Sequence, residues 1–275
     1  MRKFFLTSFA IAGLGGLMLH HRGPSAQGEN LGPDVNLARY ELVFADEFDK
    51  LDISASGPGT KWIAHTPWNG DFGQAAFTDP GPNGPFKIRD GKLLIEARKR
   101  PDGKWQSGLI ASVDKNGVGF KQRYGYWEMS AKLPPGKGLW SAFWLNAAQP
   151  EGSKETGLEI DVLEHYGHYP VGYEALFHIW PKPEKDDPNY RRKVIDVPSG
   201  YLYSDFRTYG VDVTPEWIIV YLDRKPKWRW KTPPEHKTDM MVLANLAMGP
   251  DWPIDETPNP SVMEIDYIRA YKHKP

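Results

Sequence analysis

Gly157-Leu158-Glu159-Ile160-Asp161-Val162-Leu163-Glu164-His165 is the stretch on which the reading of this chain turns. In a strand, successive side chains point to opposite faces, so Glu159 and Asp161 share one face while Ile160 and Val162 enter a core. Strict alternation would then bury Glu164. A one-residue bulge around Val162 and Leu163 returns Glu164 to the acidic face, and bulges are common beside functional sites. Three carboxyls then line one ridge, with the two glutamates roughly 13 Å apart at Cα from a rise of about 3.3 Å per residue. Like charges held this close raise one another's proton affinity, so one carboxyl is expected to stay protonated near neutrality. Alternating acids are also the ordinary pattern of a solvated face, and clustered carboxylates also suit a divalent cation. The neighbouring segments decide between these readings.

Upstream, alternation through residues 139–146 puts Trp140, Ala142, Trp144 and Asn146 on one face. Two tryptophans on one side offer a platform for the apolar face of a sugar ring, with indole N–H groups left for hydroxyls. In residues 124–133, Tyr126, Glu128, Ser130 and Lys132 form a polar face opposite Trp127, Met129, Ala131 and Leu133, and Glu128 is a candidate for sugar hydroxyls or a partner for Lys132. Downstream, His178 and Trp180 stand together, and Asn245 is the one polar residue in an apolar run over 242–248. A polar amide in that setting needs hydrogen-bond partners, from the protein or from a ligand.

Wider still, short apolar or alternating runs are separated by turn pairs such as Asp90-Gly91, Asp102-Gly103 and Asn116-Gly117, the punctuation of antiparallel sheets. With 11 Trp, 27 Gly and 25 Pro in 275 residues, the chain is read as all-β, a two-sheet jelly-roll sandwich with a concave cleft. No repeat suggests a propeller or solenoid. Basic and acidic residues balance at 34 and 35, which argues against a nucleic-acid backbone as partner. Cysteine is absent, excluding disulfides, thiolate metal sites and a cysteine nucleophile. Arg2 and Lys3 precede an uncharged stretch over residues 4–19, too short for a membrane span and suited to a signal peptide over residues 1–26. The expected product is secreted or periplasmic and monomeric, with a linker over 27–40, a catalytic domain over 41–273 and a long surface loop over 181–203.

On these residues the chain resembles glycoside hydrolase family 16, whose signature is an acidic strand E-x-D-x-E or E-x-D-x-x-E, here Glu159 to Glu164 in the bulged form. The resemblance extends to residues 42–49, 124–144, 205–209, 245–247 and 266–271, and covers about residues 41–272. It implies a concanavalin A-like fold, with Glu159 as nucleophile, Asp161 as its electrostatic partner and Glu164 as acid/base. It places Trp140, Trp144, Glu128, His178 and Asn245 near the cut bond, and it implies no cofactor and no catalytic metal. Some members hold a structural calcium, for which Glu47, Gly91 and Asp266 stand at matching positions. Arg207 and Val213 depart from the family's usual His and Trp, which bears on subfamily more than on chemistry. The implied activity is retaining endo-hydrolysis of a β-1,3 or mixed β-1,3/1,4-linked glucan or a related exopolysaccharide. Transglycosylation by the same residues is the near alternative. A non-catalytic sugar-binding jelly roll is the distant one, disfavoured because such a protein has no use for three acids.

Overall fold

Short alternating strands bury one face each, and they reach stability by stacking two sheets over a shared core. The computed structural model describes residues 30–68, 70–149, 153, 155–180, 191–249 and 252–275. The signal peptide expected over 1–26 and residues 181–190 lie outside the described residues. An eight-stranded sheet runs in the order Arg191–Asp196, Gly172–Trp180, Gly157–Tyr166, Leu139–Ala147, Met240–Met248, Leu109–Ala111, Trp62–Ile63, Ile53–Ser54. Opposite it, a larger sheet is built around Gly125–Lys132 and the long strand Ser261–His273, with Tyr40–Asp46 pairing along the latter so that Tyr40 lies opposite His273. Between them packs one core that takes Leu158, Ile160, Val162 and Leu163 from the acidic strand and Trp127, Met129, Val211 and Ile265 from the larger sheet. The all-β sandwich expected from the alternating runs is therefore the fold.

Two expected connections are more ordered than their polar composition suggests. Of the linker expected over 27–40, Leu37–Arg39 form a 3₁₀ turn, Tyr40 already begins a strand, and Val35 N donates to Arg224 O at 2.9 Å. Val35, Leu37 and Tyr40 pack on a cluster of Tyr126, Tyr221 and Tyr271, so this segment straps the outward face of the larger sheet. Of the surface loop expected over 181–203, Arg191–Asp196 form the edge strand of the eight-stranded sheet. Arg, Lys and Asp are compatible with an edge, where charged side chains discourage pairing with another chain.

Under the strap, the outward face of the larger sheet holds a buried charge. Glu128 is 0 % exposed and accepts two bonds from the Arg224 guanidinium, at 3.0 and 2.7 Å, plus one each from Tyr126 OH at 2.8 Å and Tyr267 OH at 3.1 Å. Four donors satisfy a carboxylate that burial would otherwise penalise heavily. Glu128→Ala should cost about 3 kcal/mol in chemical denaturation, since removing one partner strands the others. A loss below about 1 kcal/mol would mean the pair behaves as a screened surface bridge.

Candidate active site

The acidic strand carries one residue too many for its neighbours. Glu159 lies opposite Asn146, Asp161 opposite Trp144, Leu163 opposite Phe143 and Glu164 opposite Ala142, so Val162 is the surplus. On the other side Asp161 faces Leu176 and Glu164 faces Glu174, with the register shifting between them. Val162 and Leu163 are both fully buried in the core, and that double inward step returns Glu164 to the face of Glu159 and Asp161. The bulge expected from the spacing of the acids is where the spacing required it. It also compresses the ridge, because six residues of the acidic strand span five of its neighbour.

Each glutamate is held by side-chain donors from adjacent strands and, in the case of Tyr166, from its own strand. Asn146 Nδ2 and Trp180 Nε1 both donate to Glu159 Oε2, at 2.8 and 3.0 Å. Trp140 Nε1 donates to Glu164 Oε1 and Tyr166 OH to Glu164 Oε2, each at 3.0 Å. His178 Nε2 stands 3.9 Å from Glu159 and 3.8 Å from Asp161. Glu159, Asp161 and His178 each present a ligand atom within 4.8 Å of the others, a spacing at which a hard cation could also be held.

Burial first, and the Glu174 carboxylate second among the raising influences, push Glu164 up to about 7 against the opposing bonds from Tyr166 and Trp140. A carboxyl with that affinity is still about half protonated at neutrality and can deliver its proton. Next to it in sequence, His165 points the other way: its ring bonds Gly172 O and Tyr203 OH, both at 2.9 Å, and burial lowers it to about 4. It is a neutral structural histidine.

Half of this sheet face is roofed. Phe72 and Phe77 join Ile63, Leu109, Ala111, Met241 and Leu243 in a second apolar cluster over the strands beside Leu139–Ala147. Trp144 lies within it, 5 % exposed, with Phe72 and Trp68 rings at 6.2 and 6.1 Å. Its indole donates to Asn245 Oδ1 at 2.9 Å, and Asn245 is 0 % exposed. Trp144 and Asn245 therefore sit on the expected face but beneath a lid of aromatics, where they cannot stack on or bond a ligand without its removal. Trp140 is half-buried among Phe72, Tyr166 and Trp252, and His178 lies beside the acids.

Glu128 requires a correction: it belongs to the other sheet, on the face turned away from these acids, where Arg224 and two tyrosines consume it. Alternation identified its polar face correctly but could not say which sheet owned the strand. The calcium positions do not fit a cation either, because Glu47 is taken by Arg269 at 2.8 and 2.7 Å and Asp266 lies 3.5 Å from Lys92. Cationic side chains already neutralise those oxygens. Tyr166, Glu174 and Trp252 were not foreseen. Tyr166 was within reach, since it follows Glu164 by the two residues that keep a strand side chain on one face. Glu174 and Trp252 arrive from other elements and leave no local signal.

The profile of Glycosyl hydrolases family 16 matches residues 83–269. The endo-1,3-1,4-beta-glycanase ExsH of Rhizobium meliloti is 31% identical over 83% of this chain and 51% of its own length. This chain thus spans about half the length of that relative. Among solved structures, the laminarinase from Rhodothermus marinus is 25% identical, with a TM-score of 0.69 over 86% of this chain and 98% of its own. The catalytic domain of an endo-1,3-beta-glucanase from Thermotoga petrophila superposes with a TM-score of 0.70 at 24% identity, covering 86% of this chain and 99% of that one.

Two stability measurements follow from this environment. An acid whose folded-state value is raised loses folding stability as pH climbs, here from its ordinary 4.5 to about 7, so the ionised form is penalised by something on the order of 3 kcal/mol. Glu164→Gln should therefore raise the melting temperature at pH 8 and leave it nearly unchanged at pH 4; equal effects at both would contradict the burial argument. Trp144→Ala should cost about 3 to 5 kcal/mol, as a core aromatic does, whereas Trp140→Ala should cost clearly less in the same melts.

Proposed function

The chain belongs to glycosyl hydrolase family 16, and from that membership we propose that it is a retaining endo-glycanase acting on β-1,3 or mixed β-1,3/1,4-linked glucan or a related exopolysaccharide. Relatives named as an endo-1,3-1,4-beta-glycanase and a beta-glucanase support that substrate class. Export through the leader read in residues 1–26 belongs to the same proposal. Among the described residues no helix is long and apolar enough to cross a membrane.

The observation that carries the proposal is a buried carboxyl of raised proton affinity, Glu164, sharing one ridge with the hydrogen-bonded Glu159. Glu164 is buried and raised to about 7, which suits the group that protonates the departing glycosidic oxygen. Glu159 takes two N–H donors on one oxygen, which fixes its plane for attack on the anomeric carbon. In the first step the Glu159 carboxylate forms a bond to that carbon while the leaving oxygen takes the Glu164 proton. In the second, Glu164 removes a proton from water, whose oxygen displaces Glu159 and restores the starting configuration. Asp161, between the two and near His178, is read as the electrostatic partner of the nucleophile. Retention needs carboxyls about 5 to 5.5 Å apart, a separation within reach of long side chains leaning toward each other across a ridge shortened by the bulge.

The test is azide rescue with an activated aryl glycoside. Glu164→Ala should lose roughly 10²- to 10⁴-fold on polysaccharide, yet still form the glycosyl-enzyme from a good leaving group. Azide should then release a β-glycosyl azide. Glu159→Ala should give the α-azide. NMR of the products decides, since the opposite pairing would reverse the two roles and no rescue in either variant would remove the double displacement. In the wild type, kcat/KM should fall tenfold per pH unit on the alkaline side of about 7, as Glu164 loses the proton it must donate.

A further inference from the structure

Trp140 and Tyr166 both donate to the Glu164 carboxyl, and donors of that kind favour its ionised form. A general acid needs an opposing influence, and one stands directly across the adjacent strand. Glu174 is the register partner of Glu164 on Gly172–Trp180, hence on the same face, with opposed Cβ atoms of such pairs about 4.5 to 5.5 Å apart. Like charges directly opposite each other destabilise a sheet, so this pairing costs stability whenever both glutamates are ionised. Glu174 is also anchored: its side chain is mostly buried and ion-paired with Arg192 from the edge strand Arg191–Asp196.

We propose that Glu174 is a positioning residue for Glu164: its carboxylate, fixed by Arg192, keeps the proton on Glu164 until the glycosidic oxygen takes it. Arg192 moderates that influence, so the pair sets the strength of the acid. The proposal rests on the reading of Glu164 as acid/base. Among the described residues, the other charged or titratable groups near Glu164 come from four elements. Glu159, Asp161 and Tyr166 share its strand, while Leu139–Ala147 sets Trp140 and Ala142 near it. Gly172–Trp180 adds Glu174 and, farther along, His178; the edge strand adds Arg192; and the turn after the acidic strand adds His168, which Glu174 also influences. Of these, Glu174 acts to raise Glu164 and Arg192 to lower it.

The experiment compares wild type, Glu174→Gln, Arg192→Gln and the double variant. Two readouts are taken: the pH profile of kcat/KM on a soluble mixed-linkage β-glucan, and the titration of the Glu164 carboxyl by ¹³C NMR, assigned with Glu164→Gln. In Glu174→Gln the carboxyl should titrate lower, and the alkaline limb should move down with it by about half a pH unit or more. In Arg192→Gln both should move up, because Glu174 then acts without its counter-charge. The double variant should fall between the two single variants, because Arg192 also acts on Glu164 directly. Arg192 lies on an edge strand with its side chain 38% exposed, so its variant tests the idea even where Glu174→Gln folds poorly. A Glu164 titration unmoved within about 0.2 pH units in both single variants overturns the proposal, even if the rates drop. A titration that moves while the alkaline limb stays still sustains the coupling between the glutamates and removes Glu164 from the acid/base role.

Discussion

One surplus residue organises this site. Side chains in a strand alternate with a period of two, so any two residues an odd number apart face opposite ways; Glu159 and Glu164 are five apart. Inserting Val162 between the pairs Asp161–Trp144 and Leu163–Phe143 breaks the period once and repairs it at once. The insertion is compatible with a sandwich because both residues at the bulge are apolar and both enter the core. A polar residue at either position would have to be buried without a partner. The acidic ridge, its donors and the neighbouring strands all take their alignment from this step.

The sheet face around that ridge is divided between two environments. Beside Met240–Met248, aromatics from residues 68–77 seal the surface and make Trp144 and Asn245 interior residues. Toward the edge strand, the acids, His178, Trp180 and Tyr166 remain a polar array. Glu164 sits where these meet, 9 % exposed, and desolvation is the largest influence raising its proton affinity. The same burial that prepares an acid also destabilises the fold at neutral pH, a tension expected where function sets the environment of a charge.

Much of this was legible in the sequence because it is local. The alternation, the turn pairs and the spacing of Glu159, Asp161 and Glu164 predict the sandwich, the bulge and the shared face of Trp140, Ala142, Trp144 and Asn146. What escaped is long-range. Glu128 reads as a polar-face residue, but whether that face meets the acids or the strap of residues 31–40 depends on which sheet takes the strand. Trp144 was placed on the right face, yet its exposure is decided by Phe72 and Trp68, some 70 residues earlier. Glu174 becomes meaningful only once register sets it opposite Glu164. Composition misled at 191–196, where charged residues that read as a loop form an edge strand.

The pairing of Tyr40 with His273, reinforced by the bond from Lys274 N to Arg39 O at 2.9 Å, brings the two ends of the fold together in the sheet that does not carry the acids. Either end could therefore be fastened to a support, or to another protein module, with the same result. The molecule would hang from one corner, and the acidic ridge would look away from its attachment toward whatever polymer lay beyond. Tethers at the two ends of the described fold should be interchangeable for this reason, because both pull on the sheet that does not carry the acids.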